Sequence, residues 1–388
     1  MKKVSVIIPV KDSYESFFKV LKSLKPQKNL IEELIVVDSS RSSEIESLLN
    51  DNADFSSKYI RANNYPGESR NIGVLNASSE IIGFLDSKTI PDENWLSNGL
   101  KLLDSKYKCV FGVTKYIANT NVQRIIRACI FGKKGKETLP GTIIFKLAFE
   151  NCGPFLEGIR SGEDFEWRER FKDLYPNEWR LNSDSILKYG SISKSFSSEA
   201  KRQFIYQIHS ALIDIQSSAK AFVLGISLIF ISLLIPRWNS LVGWDASPLY
   251  INDITKKYFY LLCFVFLILY SFKLFKTPFN RILKRFIFFI LILLSIYFVF
   301  FWNARIASWD ISSVFYIPHV TKIYLVGLIT INIFYRGIIY PLKNEISKTY
   351  LFPFKWVQVG IVGSLLDLCK FPGYLLGSIF IFFTNKRK

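Results

Sequence analysis

Cysteine is sparse. There are five in 388 residues, at positions 109, 129, 152, 263 and 369. The number is odd and no two form a C-x-x-C pair, which argues against a disulfide framework and against a cysteine-built zinc site. Histidine is sparser still, with only His209 and His319. His209, in IYQIHSALIDI, reads as a packed or solvated side chain rather than an acceptor contact, and nothing is assigned to His319. Acid is scarce in one half only. Residues 1–200 hold 29 Lys+Arg against 26 Asp+Glu, a net of +3, whereas residues 201–388 hold 21 against 6, a net of +15. The basic excess therefore sits beside the longest apolar runs, as membrane flanks do, and the nearly neutral first half disfavours nucleic-acid binding. Internal repeats are absent, which weighs against a transporter built from repeated spans. The start MKKVSVIIPV imitates a signal peptide, but Pro9 interrupts its short apolar run and Lys11 and Asp12 follow, so it reads as a first strand.

What the chain has in quantity is apolar surface. Hydrophobic residues make up 49%, with 35 Phe and 19 Tyr. In residues 1–205 they come as short β-branched runs alternating with helical stretches. Strands are predicted at 4–10, 34–37, 59–60, 81–85 and 109–113, and helices at 14–24, 42–49, 68–76 and 93–103. Near-continuous Val/Ile runs suit strands buried on both faces, so an α/β domain with a largely parallel sheet is expected. Ligands bind such sheets beyond the carboxyl ends of the strands, where Pro9, Asp38 and Asp86 fall.

The second half changes character. Runs at 221–235, 258–272 and 286–302 carry no charge, and a weaker one covers 323–335. Each is a little short of the ~20 residues of a membrane span, a deficit that flanking Lys, Arg and Trp make up. The loop holding Lys273, Lys276, Arg281, Lys284 and Arg285 is the most basic, and four spans would then put both the N-terminal domain and the terminal NKRK on the cytoplasmic side. Residues 356–383 are apolar but broken by Asp367, Lys370, Pro372 and Gly373, and read as helices in the membrane interface. The expected organisation is thus a domain at 1–205, a transmembrane region at 206–340 and C-terminal interfacial helices at 341–388. The basic cluster Lys133, Lys134 and Lys136 in FGKKGKE reads as an exposed loop.

Four motifs follow one another in the first domain: VSVIIPVKDS, IVVDSS, PGESRNIG and SGEDFEWRER. Order and spacing together resemble a membrane-attached family 2 glycosyltransferase of the GT-A fold, over residues 1–205 by motif and more loosely beyond. The resemblance implies inverting transfer of a sugar from a nucleoside diphosphate sugar. Asp164, beside Glu163, matches the family's catalytic base, and an adjacent like charge helps raise a carboxyl pKa. Asp38 matches the nucleoside contact, Pro9 and Val10 the base-binding end of the sheet, and Arg70, in the first turn of a helix, the diphosphate.

Asp86, Ser87 and Lys88 stand where the family has an Asp-x-Asp pair that holds Mg2+ or Mn2+. Lys88 replaces the second Asp. Three readings stay open: Lys88 neutralises the diphosphate without metal, a metal persists on Asp86, or the domain binds a nucleotide sugar without catalysis, as a scaffold of a glycan pathway. A Gln-x-x-Arg-Trp motif, the mark of processive synthases, is absent, so transfer of a single sugar is expected. The acceptor expected is a lipid or lipid-linked glycan at the inner face of the cytoplasmic membrane.

Overall fold

The computed structural model describes residues 2–51, 54–213, 330 and 332–384. Eight strands form one sheet: β1 (Val4–Val10), β2 (Ile31–Asp38), β3 (Ser57–Arg61), β4 (Ile81–Phe84), β5 (Thr89–Ile90), β6 (Cys109–Tyr116), β7 (Lys136–Phe145) and β8 (Trp179–Tyr189). Their order is β3-β2-β1-β4-β7-β6-β8-β5. The helices between them are α1 (Tyr14–Leu24), α2 (Glu44–Asp51), α3 (Pro66–Leu75), α4 (Trp95–Leu102), α5 (Asn121–Ile126), α6 (Lys146–Cys152), α7 (Glu163–Leu174) and α8 (Phe196–Leu212). A long C-terminal helix, here α9, covers Lys355–Thr384.

Alternation along β1 shows why both faces of the sheet are covered. Val4, Val6, Ile8 and Val10 enter one core with Phe17, Val20 and Leu21 of α1. Ile7 points the other way, into a second core with Val74 of α3 and Trp167 of α7. β2 repeats the pattern, with Leu34 and Val36 on the first side and Ile35 and Val37 on the second. A side chain exchanged between faces by a one-residue slip would lose its core, so the register is tightly specified.

The expectation of a largely parallel sheet needs correction. β3, β2, β1 and β4 are parallel, but β7 runs antiparallel to both β4 and β6, and β5 antiparallel to β8, so the sheet is mixed. Of the cluster expected as an exposed loop, Lys133 and Lys134 are exposed in a turn, and Lys136 differs. Lys136 opens β7, is half-buried, and gives its ammonium to Ile130 O at 3.3 Å. The amides of Lys133 and Lys134 both bond Asn344 O, which ties the turn to the C-terminal segment. The Tyr340 hydroxyl, at 3.5 Å, is a second partner for the Lys136 cation.

Residues Met1–Ile215 and Phe334–Lys388 belong to one compact unit. α8 runs through the boundary expected at 205, and α9 lies along it. The two helices touch almost backbone to backbone. A Cβ on Gly373 would lie 2.3 Å from Phe204 O, and one on Gly377 2.4 Å from Ile208 O. α9 also continues through Pro372, where a break was expected. Its charges are met locally: Asp367 pairs with Arg336 and, at 2.8 Å, with Lys370.

The spans expected at 221–235, 258–272 and 286–302 lie outside the described residues, as does most of 323–335. Among the described residues no helix is long and apolar enough to cross a membrane. Cys109, Cys129, Cys152 and Cys369 are free thiols.

Candidate active site

α3 starts at Pro66, a residue suited to a first helical position because its missing N–H has no partner there in any case. Arg70 therefore lies a turn deeper than expected and is only 4% exposed. Such a cation must be paired. Its Nη2 donates to Asp86 Oδ1 at 2.8 Å and its Nη1 to Glu163 Oε1 at 3.1 Å. The guanidinium also lies 5.6 Å from the Phe155 ring centre. Asn71, the next residue, clamps the same segment: Nδ2 donates to Phe155 O and Oδ1 accepts from Phe155 N, both at 2.9 Å.

Three contacts set the start of α7. Gly162 precedes it with φ 92°, a left-handed conformation that a side chain would strain. Trp167 is fully buried and donates its indole N–H to Gly153 O at 2.9 Å. Glu137 of β7 receives Arg168 and Lys172, each at 2.7 Å. The helix is fastened to the sheet, and Glu163 and Asp164 are presented at its first turn.

Those two carboxylates then diverge. Glu163 is 4% exposed, and burial, with Asp164 beside it, pushes its carboxyl up to about 7 against the pull of Arg70. Its Oε2 is buried without a partner. Asp164 is half-buried and its carboxylate has no hydrogen bond or ion pair among the described residues. Lys88, also half-buried, has no partner for its ammonium among the described residues. Asp86 is bonded to Arg70, and Ser87 Oγ accepts from Ser13 Oγ at 2.7 Å.

One cavity of about 650 Å3, a volume typical of ligand sites, joins these groups. Pro9, Val10, Arg70 and Asp86 line it, and so do Ser87, Lys88, Glu163 and Asp164. Asp38 lies on the wall of a neighbouring cavity of about 510 Å3 with Lys11, Arg41 and Arg61. It is fully buried, with Oδ1 accepting from Ser40 N at 2.8 Å and Oδ2 from Tyr59 Oη at 2.9 Å. Asp38 thus caps its own turn as well as lining a cavity; each oxygen retains a second lone pair.

Sequence reasoning missed the far wall of the larger cavity. Arg202 and Tyr206 of α8 line it, with Tyr116, Phe131 and Tyr189. Glu199 is fully buried and its carboxylate lies 2.6 Å from Arg202 Nη2. A usable signal existed: Glu199, Arg202, Gln203 and Tyr206 share one face of a helix at i, i+3, i+4 and i+7. His209, a turn beyond, accepts from Arg160 N at 3.4 Å and sits edge-on to Tyr65 at 5.8 Å, in agreement with a packed histidine.

The donor set at Asp86 does not fit a cation held by the protein alone. One oxygen of Asp86 is committed to Arg70, the next charged residue is a lysine, and among the described residues no three His, Cys, Asp or Glu side chains gather.

Residues 5–156 match the family model described as Glycosyl transferase family 2. The match ends short of Glu163 and Asp164. Glycosyltransferase AglE of Haloferax volcanii is 26% identical over 191 residues, covering 44% of this chain and 61% of that protein. An uncharacterized glycosyltransferase of Rickettsia bellii is 29% identical over 180 residues, covering 42% of this chain and 25% of that protein. The chain thus spans between a quarter and three fifths of these two relatives. Among solved structures, mannosyltransferase PcManGT from Pyrobaculum calidifontis, in complex with GDP-Man and Mn2+, is 12% identical with a TM-score of 0.43, covering 94% of this chain and 87% of its own.

Proposed function

We propose that the protein is an inverting, non-processive glycosyltransferase. It moves one sugar from a nucleoside diphosphate sugar to a lipid or lipid-linked glycan at the cytoplasmic face of the inner membrane. The observation that carries this reading is the division of labour among five ionisable side chains in one cavity. Arg70 binds both Asp86 and Glu163, while among the described residues the carboxylate of Asp164 and the ammonium of Lys88 have no partner. The mixed sheet suits the GT-A architecture that the motifs resemble, and the uncharged runs after residue 220 suit membrane attachment.

Asp164 takes the proton from an acceptor hydroxyl as its oxygen attacks the anomeric carbon. The bond from that carbon to the diphosphate breaks, and the electron pair leaves on the diphosphate oxygen. Glu163 holds Arg70 and Arg70 holds Asp86, so the acid-rich wall keeps its shape while charge moves past it. Lys88 supplies a positive charge where the diphosphate becomes more negative, in a cavity partly shielded from water. The test is a screen of UDP, GDP and CDP sugars for transfer and of the free diphosphates for binding by calorimetry, each with excess EDTA and with Mn2+. Absence of any nucleoside diphosphate binding in both conditions would overturn the reading, and strict dependence on Mn2+ would remove Lys88 from its role.

A further inference from the structure

Part of the lining of the larger cavity is aromatic and has unused hydroxyls. Tyr116 ends β6 and Tyr189 ends β8, and the two are register partners in that parallel pair. Their rings meet at 5.4 Å and 61°. Phe131 stacks on Tyr116 at 4.3 Å and 18°. Tyr206 adds a further ring from α8 and is 38% exposed. All four line the cavity that holds Asp164 and Lys88. Among the described residues no hydrogen bond engages the hydroxyls of Tyr116, Tyr189 or Tyr206. Burial pushes the Tyr116 and Tyr189 hydroxyls up to about 12, so they remain neutral groups able to donate and accept.

Such a wall asks for a ligand with two kinds of surface. An alkyl chain would cover the rings but strand three hydroxyls, and a phosphate would find neutral hydroxyls and, in Arg202, a cation already paired with buried Glu199. A pyranose has an apolar face of C–H bonds and a rim of hydroxyls, and matches both features. We infer that Tyr116, Phe131, Tyr189 and Tyr206 form the acceptor subsite, and that the group seated there is a pyranose ring already carried by the acceptor. This rests on the glycosyltransferase reading and narrows it: the hydroxyl that Asp164 deprotonates belongs to a sugar, so the product is a glycan extended by one residue, not a first sugar placed on a lipid phosphate. The preceding reaction must then be one that attaches a sugar to the acceptor.

The test is saturation-transfer NMR on the full chain with methyl β-D-glucopyranoside, methyl β-D-galactopyranoside and methyl α-D-mannopyranoside, with glycerol 1-phosphate as the competing probe. At least one pyranoside should be saturated through its ring C–H protons. Its binding should weaken about five- to tenfold in Tyr189→Phe, which removes one hydroxyl, and further in Tyr206→Ala. Calorimetric affinity for the nucleoside diphosphate should not change in either variant, which also shows that both are folded. No saturation by any pyranoside, saturation equal in wild type and variants, or saturation of glycerol 1-phosphate in their place would overturn the subsite while nucleoside diphosphate binding persists. Loss of nucleoside diphosphate binding in the wild type would instead sink the glycosyltransferase reading itself.

Discussion

Glu163 and Asp164 are neighbours in sequence and opposites in circumstance. Glu163 is buried against Arg70 at 3.1 Å, whereas Asp164 is half-buried with a carboxylate that nothing in the described residues engages. A base must be free to receive a proton, and a positioning group must not be.

Asp164→Asn should therefore lower transfer by about 10²- to 10⁴-fold, the usual worth of a general base, with nucleoside diphosphate affinity unchanged. Glu163→Gln should keep transfer within about tenfold, because its amide still accepts from Arg70. Initial rates and calorimetry on the two variants check the assignment. The reverse order of damage would exchange the roles.

Arg70 holds two carboxylates that are 35% and 5% exposed as side chains. Arg70→Ala would leave Glu163 buried without its cation, a loss of about 3 kcal/mol or more for a broken buried pair. Urea denaturation should show the loss above pH ~7, and it should shrink as pH falls through that value, where Glu163 takes a proton instead.

Lys88 is the difference from an Asp-x-Asp site. Lys88→Asp should weaken nucleoside diphosphate binding roughly tenfold in EDTA and make binding respond to Mn2+, as a second carboxylate provides a hard-ion ligand. Calorimetric titrations with and without Mn2+ read both effects. Binding in EDTA that matches wild type would show that the ammonium does not meet the diphosphate.

Two buried glutamates set opposite pH limits on stability. Glu33 accepts from Ser5, Ser78 and Lys58, and although burial opposes it, these donors hold its carboxyl down at about 2 from the usual 4.5. Its contribution is full above pH 4.5 and fades as pH falls toward 2. Glu163 is shifted the other way, up to about 7, so its contribution is full below 4.5 and fades as pH rises through 7. Unfolding midpoints at about pH 3, 5 and 8 should pass through a maximum at the middle value. Glu33→Gln should flatten the acid limb and Glu163→Gln the alkaline one.

The parallel half of the sheet was legible because its signal is local. β1 and α1 have the bounds expected, since an unbroken β-branched run buried on both faces and a clear helical stripe leave little choice. β7 was not legible. It opens with Lys136 and contains Pro140 and Gly141, residues that interrupt a strand pattern. The strand tolerates them because the β6–β7 pairing shifts register between Val110 and Gly112, close to Pro140, where a proline's missing donor does no harm. β8 carries exposed polar residues along much of its length and lacks the apolar run that marks a strand. The acid pair, Arg70, Asp86 and Lys88 were found from motif order. The aromatic wall was not, because only tertiary pairing brings Tyr116, Tyr189 and Tyr206 together.

The glycine seam between α8 and α9 has a practical consequence. Arg202 and Tyr206 reach the cavity from a helix whose other side rests on residues near the chain's far end. An N-terminal fragment ending where the motifs end would retain the acid pair and lose the support of the opposite wall. The compact unit that holds both is discontinuous, residues 1–215 with 334–388, and a bulky residue at position 373 or 377 would part its two long helices.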